Sequence, residues 1–94
     1  MNGWKNYETW AANLWLTNVE TDYKYWMMEA RAALEEANGD KEHAAYTLAD
    51  RMKKQVEDSK PRLPSSLYAD LLTNALQNID YQEVAAAFIE ECKE

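Results

Sequence analysis

Apolar residues recur along this chain at intervals of three and four, and no segment alternates apolar with polar over a useful length. That periodicity is the mark of amphipathic helices and leaves no candidate strand. A first helix is predicted from about Tyr7 to Asn18, with Asn6 as its N-cap, since its side chain can accept a free backbone N–H. At 100° per residue, Tyr7, Trp10, Ala11, Leu14 and Trp15 cover a wide arc that Ala12 and Leu16 extend. A helix apolar over so much of its circumference is either central in the fold or docked to a partner.

A second helix is predicted from about Asp22 to Ala37, with Tyr23, Trp26, Met27, Ala30, Leu34 and Ala37 on one face. Asn38-Gly39 then stops it, because both residues tolerate the left-handed conformation. Asp40 caps a third helix to about Asp58, facing inward with Ala44, Ala45, Leu48, Ala49, Met52 and Val56. Ser59 to Pro64 form a linker whose prolines exclude a continuous helix. Ser65 or Ser66 caps a fourth helix from about Leu67 to Asn78, with Leu67, Leu71, Leu72, Ala75, Leu76 and Ile79 as its buried face. A last helix opens at Asp80, with Glu83 three residues on in the pattern of a capping box. Val84, Ala85, Phe88, Ile89 and Cys92 face inward. The expected fold is all-α, a compact bundle of four to five helices in a single domain spanning residues 1–94.

Composition narrows the function classes. A chain of 94 residues, 47% apolar and 29% charged, is an ordinary globular composition rather than a disordered, collagenous or disulfide-stapled one. Seventeen acidic residues against ten basic ones leave a formal charge of −7. Nucleic acid is bound through a surplus of Lys and Arg, so direct binding to DNA or RNA is not expected, nor is binding to an anionic membrane. The negative charge suits a basic partner, or serves only solubility. Its distribution is uneven: residues 51–62 carry five bases and two acids, a stretch expected to pair with acidic neighbours. Cys92 is the only cysteine, so no internal disulfide is possible and a reducing, cytoplasmic home is expected. The polar and aromatic opening residues lead to the expectation of no signal peptide, and no apolar run reaches the roughly 18 residues that span a bilayer.

Catalytic chemistry finds little support. His43, the only histidine, falls opposite the Leu48/Met52 face, and a lone exposed histidine makes neither a zinc site nor a triad. The acid pairs Glu35/Glu36, Glu57/Asp58 and Glu90/Glu91 are adjacent on helices and point about 100° apart, so they do not share a pocket. There is no glycine-rich phosphate loop and no calcium-loop spacing. No catalytic residue, metal ligand or cofactor is expected.

The aromatic residues are more informative. All four tryptophans lie within the first 26 residues. Tyr7, Trp10, Trp15, Trp26 and Phe88 read as an aromatic core, since a small domain needs such bulk for burial; the alternative is that some of them anchor a partner. On the second helix, Tyr25, Met28 and Ala32 lie opposite the buried face, flanked by Glu29, Glu35 and Glu36. This is an exposed apolar strip with an acidic border. Glu90 and Glu91 offer a second acidic patch, and Tyr46 lies on the outer face of the third helix beside His43.

The segments Asn6-Tyr7-Glu8-Thr9-Trp10, then Leu14-Trp15-Leu16 and Asn18, and later Asn78-Ile79-Asp80-Tyr81-Gln82-Glu83-Val84-Ala85, resemble those of small acidic proteins encoded on bacteriophages, plasmids and other bacterial mobile elements. The resemblance touches both ends of the chain and implies no catalytic residue. It implies a setting, a bacterial cytoplasm in which small phage proteins bind and block host machines. The expected function is therefore inhibition of a defence complex, a CRISPR effector first, whose basic nucleic-acid-binding surface would be met by Tyr25, Met28, Glu29, Glu35, Glu36, Glu90 and Glu91. The rival expectations are a non-enzymatic adaptor that self-associates through the apolar first helix, and, last, an enzyme.

Overall fold

The computed structural model describes residues 3–92 and contains five helices: α1 (Tyr7–Asn18), α2 (Glu20–Glu36), α3 (Lys41–Ser59), α4 (Leu67–Gln77) and α5 (Tyr81–Glu91). The protein is an all-α bundle, as the periodicity predicts. Its principal extents are 47 × 27 × 24 Å.

Side chains begin and end these helices as the sequence suggests. Asn6, Asp40, Ser66 and Asp80 each accept the backbone N–H three residues on. At the end of α2, Asn38 and Gly39 both take positive φ, 54° and 85°. The Gly39 N–H donates to the Leu34 carbonyl at 2.9 Å and that of Asn38 to Glu35 at 3.1 Å, the paired bonds of a Schellman motif. The second helix differs from expectation at its start. It begins at Glu20, two residues early, and only the extended residue Val19 separates it from α1. No side chain caps it. The Thr17 hydroxyl donates back to the carbonyls of Asn13 and Leu14, competition of the kind that bends and ends helices.

The core lies between α2, α3 and α5. Leu48, Met52, Val84, Phe88 and Ile89 are fully buried, with Trp26 and Met27 against them. Ala30, Ala33, Ala44, Ala45, Ala49 and Ala85 fill the remaining buried positions. Small side chains let helices approach closely, and α3 and α5 share the most extensive contact in the molecule. The helix α1 packs on α2 and α5 through Ala12 and Leu16. No comparable contact is made by α4. The expected buried face of α4 is therefore not buried: Leu67 and Leu71 are 67% and 58% exposed, and Leu72, Ala75, Leu76 and Ile79 are only half-covered.

One polar cluster ties the two ends of the chain together. Thr9 is completely buried. Its hydroxyl donates to Asn6 Oδ1 at 2.6 Å and accepts the backbone N–H of Asp80 at 2.9 Å. Asn6 Nδ2 donates to the Asn78 carbonyl at 2.7 Å. The capping box expected at Asp80 is accordingly only half formed. Asp80 accepts from the Glu83 N–H, but Glu83 does not reach back to Asp80. Its carboxylate instead accepts the Lys5 N–H at 3.1 Å, while Thr9 takes the Asp80 N–H. Both halves of the missing reciprocal bond are thus used to hold the N-terminus.

Tyr81, the first residue of α5, is buried, and its hydroxyl finds no hydrogen-bond partner among the described residues. Burial, reinforced by the nearby Glu57 carboxylate, raises its pKa above the ordinary value.

Two stability measurements follow from these contacts. Thr9→Val leaves the Asp80 N–H unpaired and is expected to cost about 1–3 kcal/mol in urea unfolding, with Thr9→Ser losing less because it keeps the hydroxyl. Equal stability of wild type and Thr9→Val would show that the cluster contributes nothing. Tyr81→Phe removes only an unpaired hydroxyl and is expected to leave the urea midpoint unchanged or higher; a midpoint lowered as far as by Thr9→Val would mean that the hydroxyl is satisfied.

Candidate interaction surfaces

The outer face of α2 is arranged as expected for its apolar members. Tyr25 and Met28 are exposed, as are Ala32 and Glu35. Tyr25 sets its ring edge-on against Trp26 at 4.9 Å between centroids, so a buried indole holds an exposed phenol in place. The acids differ among themselves. Arg51 of α3 reaches between Glu29, at 3.4 Å, and Glu36, at 2.9 Å. Those two carboxylates share one guanidinium in joining α2 to α3, which leaves the trio a single net negative charge. Glu35 makes no ion pair among the described residues. The basic stretch 51–62 pairs with acids as expected, since Lys54 meets Asp58 and Lys60 meets Glu57.

Beside Tyr25 lies a feature that the sequence did not reveal. Leu16, Asp22, Tyr25, Trp26, Gln55, Val56 and Ser59 line a shallow hollow of about 530 Å³ where α1, α2 and α3 meet. A carboxylate next to aromatic rings suits a lysine or arginine side chain, which gains from both. Asp22 is the functional candidate that helix periodicity missed, because only the packing of three helices places it in a concavity.

The second acidic patch is also partly committed. Glu90 meets Lys41 at 3.5 Å, and Glu91 accepts the Tyr23 hydroxyl at 2.6 Å. That bond is the main cause of a raised Tyr23 pKa, with desolvation and the Glu91 charge adding to it. The Cys92 thiol contacts the Phe88 carbonyl, and burial pushes its pKa up, opposed by Arg31. A thiol held protonated and packed against the core is a structural one. His43 and Tyr46 are exposed on α3. No group of His, Cys, Asp or Glu among the described residues is placed to hold a metal ion, and no helix is long and apolar enough to cross a membrane.

The aromatic core expected from the sequence holds for Trp26 and Phe88, but not for Tyr7 and Trp15. Those two are 56% and 68% exposed, and Trp10 is half-buried, with its ring 5.5 Å from that of Tyr7. The cause is Thr9. Residues two before it and six after it lie about 160° and 120° away around a helix, so burying Thr9 turns Tyr7 and Trp15 outward. There they face the C-terminal half of α4. A groove of about 240 Å³ runs between the two helices, lined by Tyr7, Glu8, Ala11, Ala12, Trp15, Ala75, Leu76 and Ile79. Leu67, Tyr68 and Leu71 continue the apolar surface along α4.

The segments that carry the sequence resemblance, 6–18 and 78–85, thus meet in the folded chain through Asn6, Thr9, Asn78 and Asp80. The chain belongs to DUF7249, a family of unknown function. The match covers residues 1–93 and so includes both segments and every helix. No curated protein and no solved structure matches the chain. Membership in DUF7249 brings no activity or partner with it, so function has to be argued from the surfaces themselves.

The Tyr23–Glu91 bond generates a pH dependence. A phenol whose folded pKa is raised above 10.0 contributes stability that is fully present below that value and is lost as pH rises through the folded one. Wild type is expected to lose more stability than Tyr23→Phe between neutral pH and the alkaline range above 10.0. Parallel denaturation curves for the two proteins across that range would remove the bond from the account.

Proposed function

We propose that this protein is a non-catalytic, stoichiometric inhibitor that binds a basic, nucleic-acid-holding surface of a bacterial defence complex, a CRISPR effector being the leading target class. The observation that carries the reading is the outer face of α2. Tyr25 lines a hollow bearing Asp22, and Met28 and Glu35 are exposed farther along the same helix, on a chain of net charge −7. Defence effectors hold nucleic acid in positively charged channels and read short duplex motifs with arginine or lysine. Carboxylates set among aromatic and thioether groups can occupy those positions in place of phosphate. Long-range attraction between the acidic protein and a basic channel speeds their encounter. The setting itself comes from the resemblance of both chain ends to phage and plasmid proteins.

The ion pairs redistribute the expected roles. Glu29, Glu36, Glu90 and Glu91 have partners within the fold, so Asp22 and Glu35 are assigned the direct electrostatic contacts, with Tyr25 and Met28 as apolar anchors. Glu36→Lys is a poor probe, because it would set a lysine against Arg51 and disturb the α2–α3 contact.

The test is a tagged pull-down from a bacterial lysate that contains CRISPR and restriction complexes. Stoichiometric recovery of one such complex is expected, lost at high salt and reduced at least tenfold by Asp22→Asn combined with Glu35→Lys. Recovery of the bait alone, of an unrelated protein, or of a complex indifferent to that double substitution would overturn the reading.

A further inference from the structure

The α1–α4 face is distinct in composition from the rest of the molecule. In a chain that is 29% charged, α1 and α4 together hold two charged residues, Glu8 and Asp70. Depletion of charge with enrichment in aromatic and long apolar side chains is the composition of an interface centre. Tyr68, Leu67 and Leu71 are 73%, 67% and 58% exposed. They share one face of α4 with Ala75, at helical spacings of one, four and eight residues from Leu67. Ala75 in turn lines the groove against α1. The surface is therefore continuous from α4 into the groove.

Its size and charge select the occupant. Tyr7, Trp15, Leu67, Tyr68 and Leu71 expose on the order of 600 Å² of largely apolar surface, at the top of the roughly 300–600 Å² range of the largest patch on a typical monomer and approaching the about 800 Å² per partner of a standard interface. The residues that carry it are electrically neutral as a set. Glu8 and Asp70 are the only charged residues of α1 and α4, so most of the −7 resides elsewhere. A basic partner gains little complementarity on this side. A second copy presents the same weakly charged face, which matches this one in chemistry and extent.

We infer that the α1–α4 face is a self-association surface, and that two copies join there about a two-fold axis. In such an isologous contact each copy supplies both a knob and a hole. The ridge of Leu67, Tyr68 and Leu71 on one copy enters the alanine-lined groove of the other, where Ala11, Ala12 and Ala75 leave room, and Trp15 closes over it.

Sedimentation equilibrium of the protein, from micromolar to millimolar concentration, reads this directly. The expected result is a dimer that persists in molar salt, because a neutral apolar contact is not screened. Leu71→Glu is expected to give a monomer with unchanged helical circular dichroism, since Leu71 is exposed in the single chain. Should that variant lose helicity, Trp15→Glu, exposed on the other helix, provides the same test. Glu35→Lys, on the opposite surface, is expected to dimerise normally. A wild type monomeric throughout the range, or a dimer unaffected by both Leu71→Glu and Trp15→Glu, would overturn the inference.

Discussion

The buried hydroxyl of Thr9 is the constraint on which the arrangement of this molecule turns. It is the only buried polar side chain among the described residues other than the Tyr81 phenol. An unsatisfied hydroxyl inside a protein is costly, so its position is fixed by its partners. Those partners are the cap of α1 on one side and the cap of α5 on the other. A single side chain therefore links the cap of α1 to the cap of α5 and constrains how the two helices meet. The outward placement of Tyr7 and Trp15 follows from the burial of Thr9. The groove against α4 follows in turn, because α1 presents to it whatever Thr9 does not draw inward.

The helix spans were legible in the sequence because their signals are local. Caps at Asn6, Asp40, Ser66 and Asp80, the Asn38-Gly39 stop and the prolines of the linker act within one turn of the residue concerned. The core faces of α2, α3 and α5 were legible too, since each is a single stripe that has to be covered. What periodicity cannot say is which stripe finds a cover. The stripe on α4 is as regular as that on α5 and is rich in leucine, yet α5 lies in the centre and α4 stands outside it. Nor could Thr9 be distinguished from a surface threonine, because its partner is 71 residues away. The same distance explains the half-formed capping box. Asp80 and Glu83 have the right local spacing, but a distant chain segment outcompetes the local bond.

The candidate acidic surface was legible in outline and not in detail. Its exposed apolar members, Tyr25 and Met28, follow from helix geometry. The state of its carboxylates depends on Arg51, which comes from another helix and ties up Glu29 and Glu36. Asp22 gains its position only because the single-residue break at Val19 brings the end of α1 alongside the start of α2.

These placements divide the molecule into two sides of different chemistry. The outer face of α2 is acidic and remains accessible, and none of its residues belongs to the α1–α4 groove. If two copies join through that groove, neither α2 surface is covered. A dimer would then carry twice −7, or −14, around two copies of the same strip. The field of such a particle reaches a basic target more strongly than that of one chain. A target with two equivalent basic sites would hold it with the added strength of a tethered second contact, provided the spacing of the strips matched. Self-association and partner binding would then be compatible, because the residues that serve one are absent from the other, and the tethered second contact would supply the gain.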